Sequence, residues 1–143
     1  MEILQDVAKE SGVEVERLSR RFAETFERLK AGFDVFAPHV FFDLNMPVWR
    51  FQLIGADAFA AQLRHINQGP VSIDVLRTVA TEYGFATEHE EHQDVDGEDL
   101  TARRLWLCTV KDGRIAEAIG YCSGEWNAEL RARHALEAPM VRP

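Results

Sequence analysis

Cysteine is scarce in this sequence of 143 residues, which contains only Cys108 and Cys122. The sequence has no Cys-x-x-Cys pair and no cysteine and histidine set with zinc spacing, so a structural zinc site is not expected. A chain of this length buries roughly two-thirds of its unfolded surface and needs no disulfide or metal for stability. We therefore expect a single domain, residues 1–143, that folds around its own hydrophobic core.

Positive charge is also in the minority, since 16 lysines and arginines accompany 24 acidic residues and the formal net charge is −8. Nucleic acids and anionic membranes are bound by Lys- and Arg-rich surfaces, so neither is an expected partner. No run approaches the ~18 apolar residues of a membrane span. The first residues lack the basic leader and apolar stretch of a signal peptide, so we expect a cytoplasmic protein.

Hydrophobic residues make up 46% of the chain and recur with helical spacing in its first half. The first such stripe consists of Leu18, Phe22, Phe26 and Leu29. It predicts a helix over about 14–31 with Gly32 as its stop signal. A second helix is predicted over 56–66 and a short buried strand over 40–44, whereas 48–55 is either a loop or a second short strand.

The second half of the chain alternates β-branched and polar residues instead. This pattern predicts four strands, at 71–83, 85–93, 101–110 and 115–126, which are joined by turns. A short polar helix is predicted for the tail at 127–138. Helices that precede a run of antiparallel strands indicate the α+β class, with the helices packed on one face of the sheet.

The last predicted hairpin allows its register to be worked out. Lys111, Asp112 and Gly113 predict a three-residue loop, which places Val110 opposite Arg114 and Trp106 opposite Ala118. The even-numbered residues of both strands then share one face: Arg104, Trp106, Cys108, Ala118, Gly120 and Cys122. In this register the two cysteines lie ~20 Å apart, which is too far for a disulfide.

Three segments carry a resemblance to a known family: FAPHVFFDL at 36–44, Gly-Ala-Asp-Ala-Phe at 55–59 and LWLCTVKDGRIAEAIGYCSGEW at 105–126. Over about 14–127 the chain resembles the SnoaL-like branch of the nuclear transport factor 2-like superfamily. The resemblance implies a cone-shaped α+β barrel, in which N-terminal helices pack against a strongly curved, mainly antiparallel sheet with a pocket at its mouth. It also implies a homodimer through the outer sheet face.

Members of this superfamily include polyketide cyclases, a ketosteroid isomerase, an epoxide hydrolase, dehydratases and binding modules, so the fold alone does not give the function. Asp43 lies near the position where the cyclases and isomerases carry a carboxylate base. The isomerase pattern has Asp-Pro one step later, where this chain has Leu44. In an apolar setting, desolvation raises the pKa of a carboxyl and suits it to proton abstraction. Alternatively, Asp43 caps the turn at Asn45.

One predicted strand carries ionisable side chains on both faces. The even-numbered ones are Glu88, Glu90 and His92. The opposite face has His89 and Glu91. If the even face turns inward, Glu88 and Arg104 form an acid–base or ion pair; otherwise this face is solvated. Because no His-x-His or Glu-x-x-His spacing occurs and the superfamily works mostly without metal, neither a metal nor another cofactor is expected.

Further residues are expected to line the pocket: Trp49, Phe51, His65, Trp106, Cys108, Gly120, Cys122, Glu125 and Trp126. Large aromatic residues form a core as readily as a ligand wall, and in a cone the two roles coincide. The two cysteines are expected to act as small buried hydrophobes. Relatives often carry an acidic residue at the pocket mouth near the position of Glu125.

The sequence thus predicts a cofactor-free enzyme of the cyclase, isomerase or dehydratase type. Its acid–base chemistry acts on a polyketide-like or ring-containing substrate in an apolar pocket, with Asp43 as base and Glu88, Arg104, His92 or Glu125 assisting. The alternative is a non-catalytic ligand-binding or dimerisation module with the same fold. A cavity of at least ~300 Å³ that opens at Asp43 favours the enzyme.

Overall fold

The computed structural model describes residues 2–29 and 33–142, and for 2–11 and 13 it describes the backbone alone. Within that part of the chain, three α-helices accompany one six-stranded sheet. The elements are α1 (Glu2–Glu27), a 3-10 turn (Phe33–Val35), β1 (Phe36–Asn45), β2 (Arg50–Ile54), α2 (Ala56–Ile66), β3 (Val71–Thr81), β4 (Gly84–Val95), β5 (Glu98–Lys111), β6 (Arg114–Cys122) and α3 (Ala128–Glu137). The predicted α+β class is confirmed.

The first helix is longer than predicted, because it begins at Glu2 rather than near residue 14. Its predicted apolar stripe is correct: Leu18, Phe22 and Phe26 are buried against the sheet. The predicted stop signal, Gly32, lies outside the described residues. None of the helices that the structure describes is long and apolar enough to cross a membrane.

The sheet has the strand order β2-β1-β6-β5-β4-β3. All neighbouring strands are antiparallel except β1 and β6, which are parallel, so the sheet is mainly antiparallel, as predicted. The segment predicted as either a loop or a strand at 48–55 contains β2. Register shifts interrupt the ladders in β1, β3 and the β5–β6 pair. Such bulges bend strands and increase the twist of a sheet.

The β5–β6 hairpin corrects the predicted register. Lys111 pairs with Arg114, so the loop has two residues, Asp112 and Gly113, which both have positive φ angles, 51° and 74°. Trp106 therefore lies opposite Gly120, two residues further along β6 than predicted. Ala116 is left unpaired in a bulge that restores the alternation. The predicted grouping of the even-numbered residues on one face is consequently correct.

The two faces of the sheet have different surroundings. The inner face packs against α1 and α2 and holds the core, which includes Phe42, Phe85 and Trp106. The outer face leaves Leu105 and Tyr121 exposed. The cysteines are both free; Cys108 pairs with Ala118 and Cys122 with Arg104, an offset of four residues rather than the predicted six.

Candidate active site

The buried face of β4 carries the polar residues that form the site. Odd-numbered positions from Phe85 to Gln93 are buried, whereas even-numbered positions are only partly buried. His89 and Glu91 therefore lie on the inner face, and Glu88 and His92 lie on the outer one. Of the two alternatives for the even face, the outward one is therefore correct. The signal that identifies the inner face is Phe85, whose apolar side chain has the same parity as His89 and Glu91.

Arg104 on β5 and Glu91 on β4 form a buried two-pronged ion pair. Arg104 Nη1 lies 3.0 Å from Glu91 Oε2, and Nη2 donates to Oε1 at 3.2 Å. The side chains are 6% and 2% exposed. A carboxylate and a guanidinium fit each other in this planar arrangement, which fixes both groups in position. Arg104 thus pairs with Glu91. The pairing of Arg104 with Glu88, which required the even face of β4 to turn inward, does not form.

Gln93 extends this pair toward the chain segment that follows β6. Its Nε2 donates to Glu91 Oε1 and to Glu125 Oε1, at 3.1 Å in both cases. Its Oε1 accepts from the backbone N–H of Gln68 at 3.1 Å. One buried amide therefore links an inner carboxylate, an exposed carboxylate and the loop after α2. Glu91 and Gln93 were not among the predicted site residues.

Four buried nitrogen atoms close to the ion pair have no hydrogen-bond partner within the described part of the chain. They are both ring nitrogens of His89, Arg104 Nε and Trp106 Nε1. His89 pairs with Arg104 across β4 and β5. Burial, together with the positive charge of Arg104, lowers the pKa of His89 to about 4. Because buried polar atoms are nearly always paired, this concentration of unpaired nitrogen atoms indicates a place for a ligand or water.

A small cavity lies beside two of the residues that carry these nitrogen atoms. Its lining includes Arg104 and Trp106, with Gly120 and Cys122 beside them and an apolar wall that contains Leu44. Its volume is about 10 Å³, close to that needed by a single water molecule. The lining also contains Met46, Ile66 and Tyr121, which are partly or fully exposed and mark the open end. This cavity is far smaller than the expected one of at least ~300 Å³.

Gly120 leaves room for the Trp106 indole. A Cβ atom at residue 120 would lie 2.5 Å from Cζ3 and 2.7 Å from Cε3 of Trp106. The indole also makes edge contacts with Phe22, whose ring centroid is 5.1 Å away. This close approach of backbone and ring, which a glycine inside a strand permits, keeps Trp106 across the inner face.

Asp43 lies on the outer face, between the inward-facing Phe42 and Leu44. Its carboxylate accepts from Arg50 Nε at 2.9 Å and from Arg50 Nη2 at 2.6 Å. The hydrogen bond from Arg50 outweighs desolvation and lowers the pKa of Asp43. The expected raised pKa in an apolar pocket is therefore wrong. Asn45 Nδ2 also donates to Asp43 Oδ1, at a longer 3.5 Å.

His92 and Glu88 form two polar clusters on the outer face. His92 Nε2 lies 3.1 Å from Glu90 and 3.4 Å from Asp74, and Nδ1 lies 3.1 Å from Asp99. Desolvation opposes the charge on His92, but the hydrogen bond and charge of Asp99 and the other two carboxylates raise its pKa. Glu88 accepts from Arg103 Nη2 at 2.8 Å. Ligand atoms of Asp74, Glu90 and His92 lie within 4.8 Å of one another.

The remaining predicted pocket residues divide between the core and the surface. Cys108 is buried, and burial raises the pKa of its thiol, which suits a packing role. Phe51 is half-buried against the core, but Trp49 is 66% exposed and His65 is exposed on α2. Trp126 packs against α3, with its ring 4.8 Å from that of His134. Trp49, His65 and Trp126 therefore do not line the inner cavity.

Larger depressions lie elsewhere on the described surface. A groove of about 680 Å³ separates α1 from β3, and its lining includes Glu16, Arg20 and Arg77. A second, of about 440 Å³, lies between α3 and the sheet and includes His92 and Trp126. Neither touches the ion pair of Glu91 and Arg104. We therefore take the buried polar residues around Glu91 and Arg104 as the candidate site, and not either of these two larger depressions.

No family model and no curated protein matches this chain. Solved structures do match it. One of them is a hypothetical protein with a ketosteroid isomerase-like fold from Catenulispora acidiphila, in complex with trimethylamine. It is 10% identical, with a TM-score of 0.62 over 73% of this chain and 83% of that one.

A second structure is an LEH-like epoxide hydrolase from M. tuberculosis, 16% identical with a TM-score of 0.61 over 90% of this chain and 98% of that one. A third, a candidate polyketide cyclase from Xanthomonas campestris pv. campestris, is 22% identical with a TM-score of 0.61 over 78% and 91%. These likenesses confirm the predicted cone-shaped α+β architecture. At such identities they establish the fold and not the reaction.

Proposed function

We propose that this chain, which has the nuclear transport factor 2-like fold, is a cofactor-independent acid–base enzyme. Its substrate is a small ring-containing or polyketide-like molecule, and the reaction is of the isomerase, cyclase or dehydratase kind. The observation that supports this most is the buried pair of Glu91 and Arg104, of which Arg104 lines a cavity. Buried charge pairs that adjoin a cavity are common at catalytic sites.

Arg104 supplies the group that stabilises negative charge. Its Nη atoms are held by Glu91, while Nε has no partner among the described residues and Arg104 lines the cavity. A fixed guanidinium in a water-poor site stabilises charge that develops on a carbonyl oxygen far better than water does. The carbon next to that carbonyl becomes correspondingly more acidic.

Glu91 is the general base in this proposal. Among the described residues it is the only buried carboxylate on the inner face, because Asp43 faces outward. Glu91 takes a proton from the carbon beside the carbonyl, and the resulting carboxyl returns it to the same or another carbon of the enolate. The proton transfers consume no oxidant or reductant, and an isomerisation or cyclisation releases no leaving group. In a dehydration the enolate expels the β-hydroxyl group, which takes the proton from the Glu91 carboxyl and leaves as water. Glu91 thus takes the role of base that the sequence predicts for Asp43, and Glu88 and His92, which lie on the outer face, have no role in this proposal.

Hydrogen exchange tests this proposal without knowledge of the natural substrate. Cyclohexanone is incubated with the protein in D₂O, and loss of its α-protons is followed by ¹H NMR. We expect exchange above the buffer rate in the wild type and a loss of at least 100-fold in Glu91→Gln, since general base catalysis contributes about 10²–10⁴-fold. Glu90→Gln, one residue along the same strand but on the outer face, is the matched control.

Three outcomes are decisive. Exchange that Glu91→Gln abolishes and Glu90→Gln preserves supports the proposal. Exchange no faster than in buffer overturns it, as does a folded Glu91→Gln variant with wild-type activity. If Glu91→Gln does not fold, as judged by circular dichroism, Glu91→Asp retains the charge but draws the carboxylate back, and it must lower the rate.

The second candidate is a non-catalytic module that dimerises through the outer face. It is favoured by the small inner cavity and by Leu105, Leu107 and Tyr121, which are 44%, 43% and 52% exposed on neighbouring strands. Analytical ultracentrifugation of the wild type and of Leu107→Glu tests the dimer. A wild-type dimer that the variant converts to a monomer supports it, and a monomeric wild type excludes it.

A further inference from the structure

We propose that Asp74, Glu90 and His92 on the outer face of the sheet bind a divalent transition-metal ion such as zinc. The even-numbered side chains of β4 point away from the face that holds Glu91, so this site is separate from the proposed catalytic residues. The inference goes beyond the proposed function, and a metal bound at this position does not enter the proposed reaction.

The three side chains bring a nitrogen and two oxygen atoms to one point. His92 Nε2 lies 3.1 Å from Glu90 Oε1 and 3.4 Å from Asp74 Oδ2, and ligand atoms of the three residues lie within 4.8 Å of one another. Zinc binds imidazole nitrogen and carboxylate oxygen at about 2.0–2.2 Å, which places the ligands of a tetrahedral ion ~3.3 Å apart. The two nitrogen–oxygen distances match that separation, so an ion fits among these atoms without a change in strand pairing.

The pairing of β3 with β4 explains why these side chains meet. Asp74 lies directly opposite Glu90, and His92 is two residues further along β4 on the same face. The ligands therefore come from two strands. Metal motifs such as His-x-His lie in a single segment of chain, so their absence from the sequence does not exclude a site that strand pairing assembles.

The second ring nitrogen of His92 has the kind of partner that metal-binding histidines use. Its Nδ1 lies 3.1 Å from Asp99 Oδ2 and 3.2 Å from Oδ1. A histidine that binds a metal through one nitrogen almost always donates its other N–H to a carboxylate, a backbone carbonyl or water, which fixes the ring and its tautomer. Donation from Nδ1 to Asp99 leaves the lone pair on Nε2, the atom that contacts Glu90 and Asp74.

The charges around His92 favour a bound cation. Three carboxylates surround this residue, which is their only basic ion-pair partner in the part of the chain that the structure describes. Arg103 lies opposite Glu90 on β5, but its Nη2 donates to Glu88 instead. Asp74 and Glu90 thus carry like charges directly opposite each other, which weakens a strand pair. A divalent ion offsets this repulsion.

The donor set selects the kind of metal. Imidazole nitrogen suits zinc, copper and nickel, whereas magnesium and calcium prefer sites made of oxygen atoms alone. Three protein ligands leave one position of a tetrahedral ion for water. The Asp74 side chain is 68% exposed, so the site is open to solvent.

Isothermal titration of the protein, without an affinity tag, with zinc chloride tests the site. We expect one zinc ion to bind at least about 100-fold more tightly than magnesium, since imidazole favours transition metals. His92→Gln and Asp74→Asn should each weaken zinc binding at least about tenfold, and Asp99→Asn, which changes the partner of His92 Nδ1, should weaken it about 10–100-fold. His134→Gln is the matched control, because it removes a histidine from the same depression without touching the cluster.

The ring-nitrogen NMR signals of the five histidines give the position of the bound zinc. Zinc should move the signals of His92 and leave those of His39 and His65, which are exposed elsewhere on the surface, in place. Movement at His39 or His65 without movement at His92 identifies adventitious binding and overturns the inference.

The remaining outcomes are equally decisive. Binding of one zinc ion that His92→Gln and Asp99→Asn weaken and His134→Gln preserves supports the inference. Absence of zinc binding overturns it, as does wild-type affinity in a folded His92→Gln variant or binding of magnesium as tight as that of zinc. If His92→Gln does not fold, as judged by circular dichroism, the exposed substitution Asp74→Asn decides. None of these measurements uses α-proton exchange, so this inference and the proposed function fail independently.

Discussion

Arg104 and Glu91 lie on adjacent strands and form a two-pronged ion pair that is almost fully excluded from solvent, with N–O distances of 3.0 and 3.2 Å. Their backbones are not directly opposite, because Arg104 pairs with His89 and Glu91 pairs with Ala102. The arginine therefore reaches diagonally across the inner face. This contact fixes the guanidinium of Arg104, which lines the cavity. The buried charge of each residue is compensated by the charge of the other.

Removing one residue of the pair should therefore lower the free energy of unfolding more than removing both. We expect Arg104→Met to cost about 3–5 kcal/mol of unfolding free energy, because the Glu91 charge is left buried and uncompensated. The double variant Arg104→Met with Glu91→Leu should recover most of that loss. Urea denaturation of the two variants and the wild type measures both effects. A double variant less stable than Arg104→Met alone would contradict the interpretation.

A substitution at Gly120 tests whether the Trp106 ring packs against the backbone of that residue. A Cβ atom at residue 120 would lie 2.5 Å from that ring, so we expect Gly120→Ala to cost about 1–3 kcal/mol of stability. The control is Gly12→Ala in α1, where a Cβ atom meets nothing within 4 Å. That change should instead raise stability by up to about 1 kcal/mol, since Ala is the better helix former. Equal effects at the two positions, measured by thermal and urea unfolding, would be incompatible with the packing described.

Much of the fold was predictable because its patterns are periodic and apolar. The stripe that contains Leu18 and Phe22 identified the buried face of α1 without reference to distant residues. The β5–β6 hairpin was predicted on the correct faces but with the wrong pairing. A two-residue turn followed by a bulge at Ala116 places the same residues on each face as the predicted three-residue loop does. The alternation of apolar and polar residues therefore does not distinguish the two.

The candidate site was less predictable because β4 has polar side chains on both faces. Glu91 and Gln93 are buried, while Glu88 and His92 are not, yet their residue types give no contrast in hydrophobicity. Phe85, near the start of the strand, is an apolar signal for the inner side, and the long-range contacts with α1 and β5 then determine which polar residues are buried. Asp43 shows the converse, since its apolar neighbours suggested a pocket whereas Arg50, a residue from the next strand, covers it on the outer face.

The Asp43–Arg50 pair should stabilise the protein near neutral pH and lose that effect in acid, and it should not affect turnover. Because Arg50 lowers the pKa of Asp43 below 3.8, the stabilisation is complete above that pH and is lost as the pH falls through the lowered value. Asp43→Asn should thus be less stable than the wild type at pH 7, and the difference should shrink in strong acid. Ketone exchange should remain at the wild-type rate.

Arg50→Met supplies the control for this pair. Once Arg50 is absent, Asp43→Asn should have little further effect on stability, so the double variant measures the coupling between the residues. Exchange that falls in Asp43→Asn while the protein stays folded would restore Asp43 as the catalytic base and remove Glu91 from that role.

His89 provides the last prediction, which concerns pH between about 4 and 6.5. Its imidazole is fully buried and has no hydrogen-bond partner among the residues that the structure describes, and burial lowers its pKa from 6.5 to about 4. As the pH falls through this interval, the unfolded chain binds a proton at His89 and the folded protein does not. Stability therefore decreases toward acid, by about 3 kcal/mol in total from this residue, and is complete above pH 6.5.

Replacement by leucine should remove that contribution. We expect the unfolding free energy of His89→Leu to vary less between pH 4 and 6.5 than that of the wild type, as measured by urea denaturation at several pH values. His65→Leu, at an exposed position of α2, removes a histidine without altering the inner face and should keep most of the slope. If both variants retain the wild-type slope, His89 is not a neutral buried imidazole, and a partner for its nitrogens must be sought.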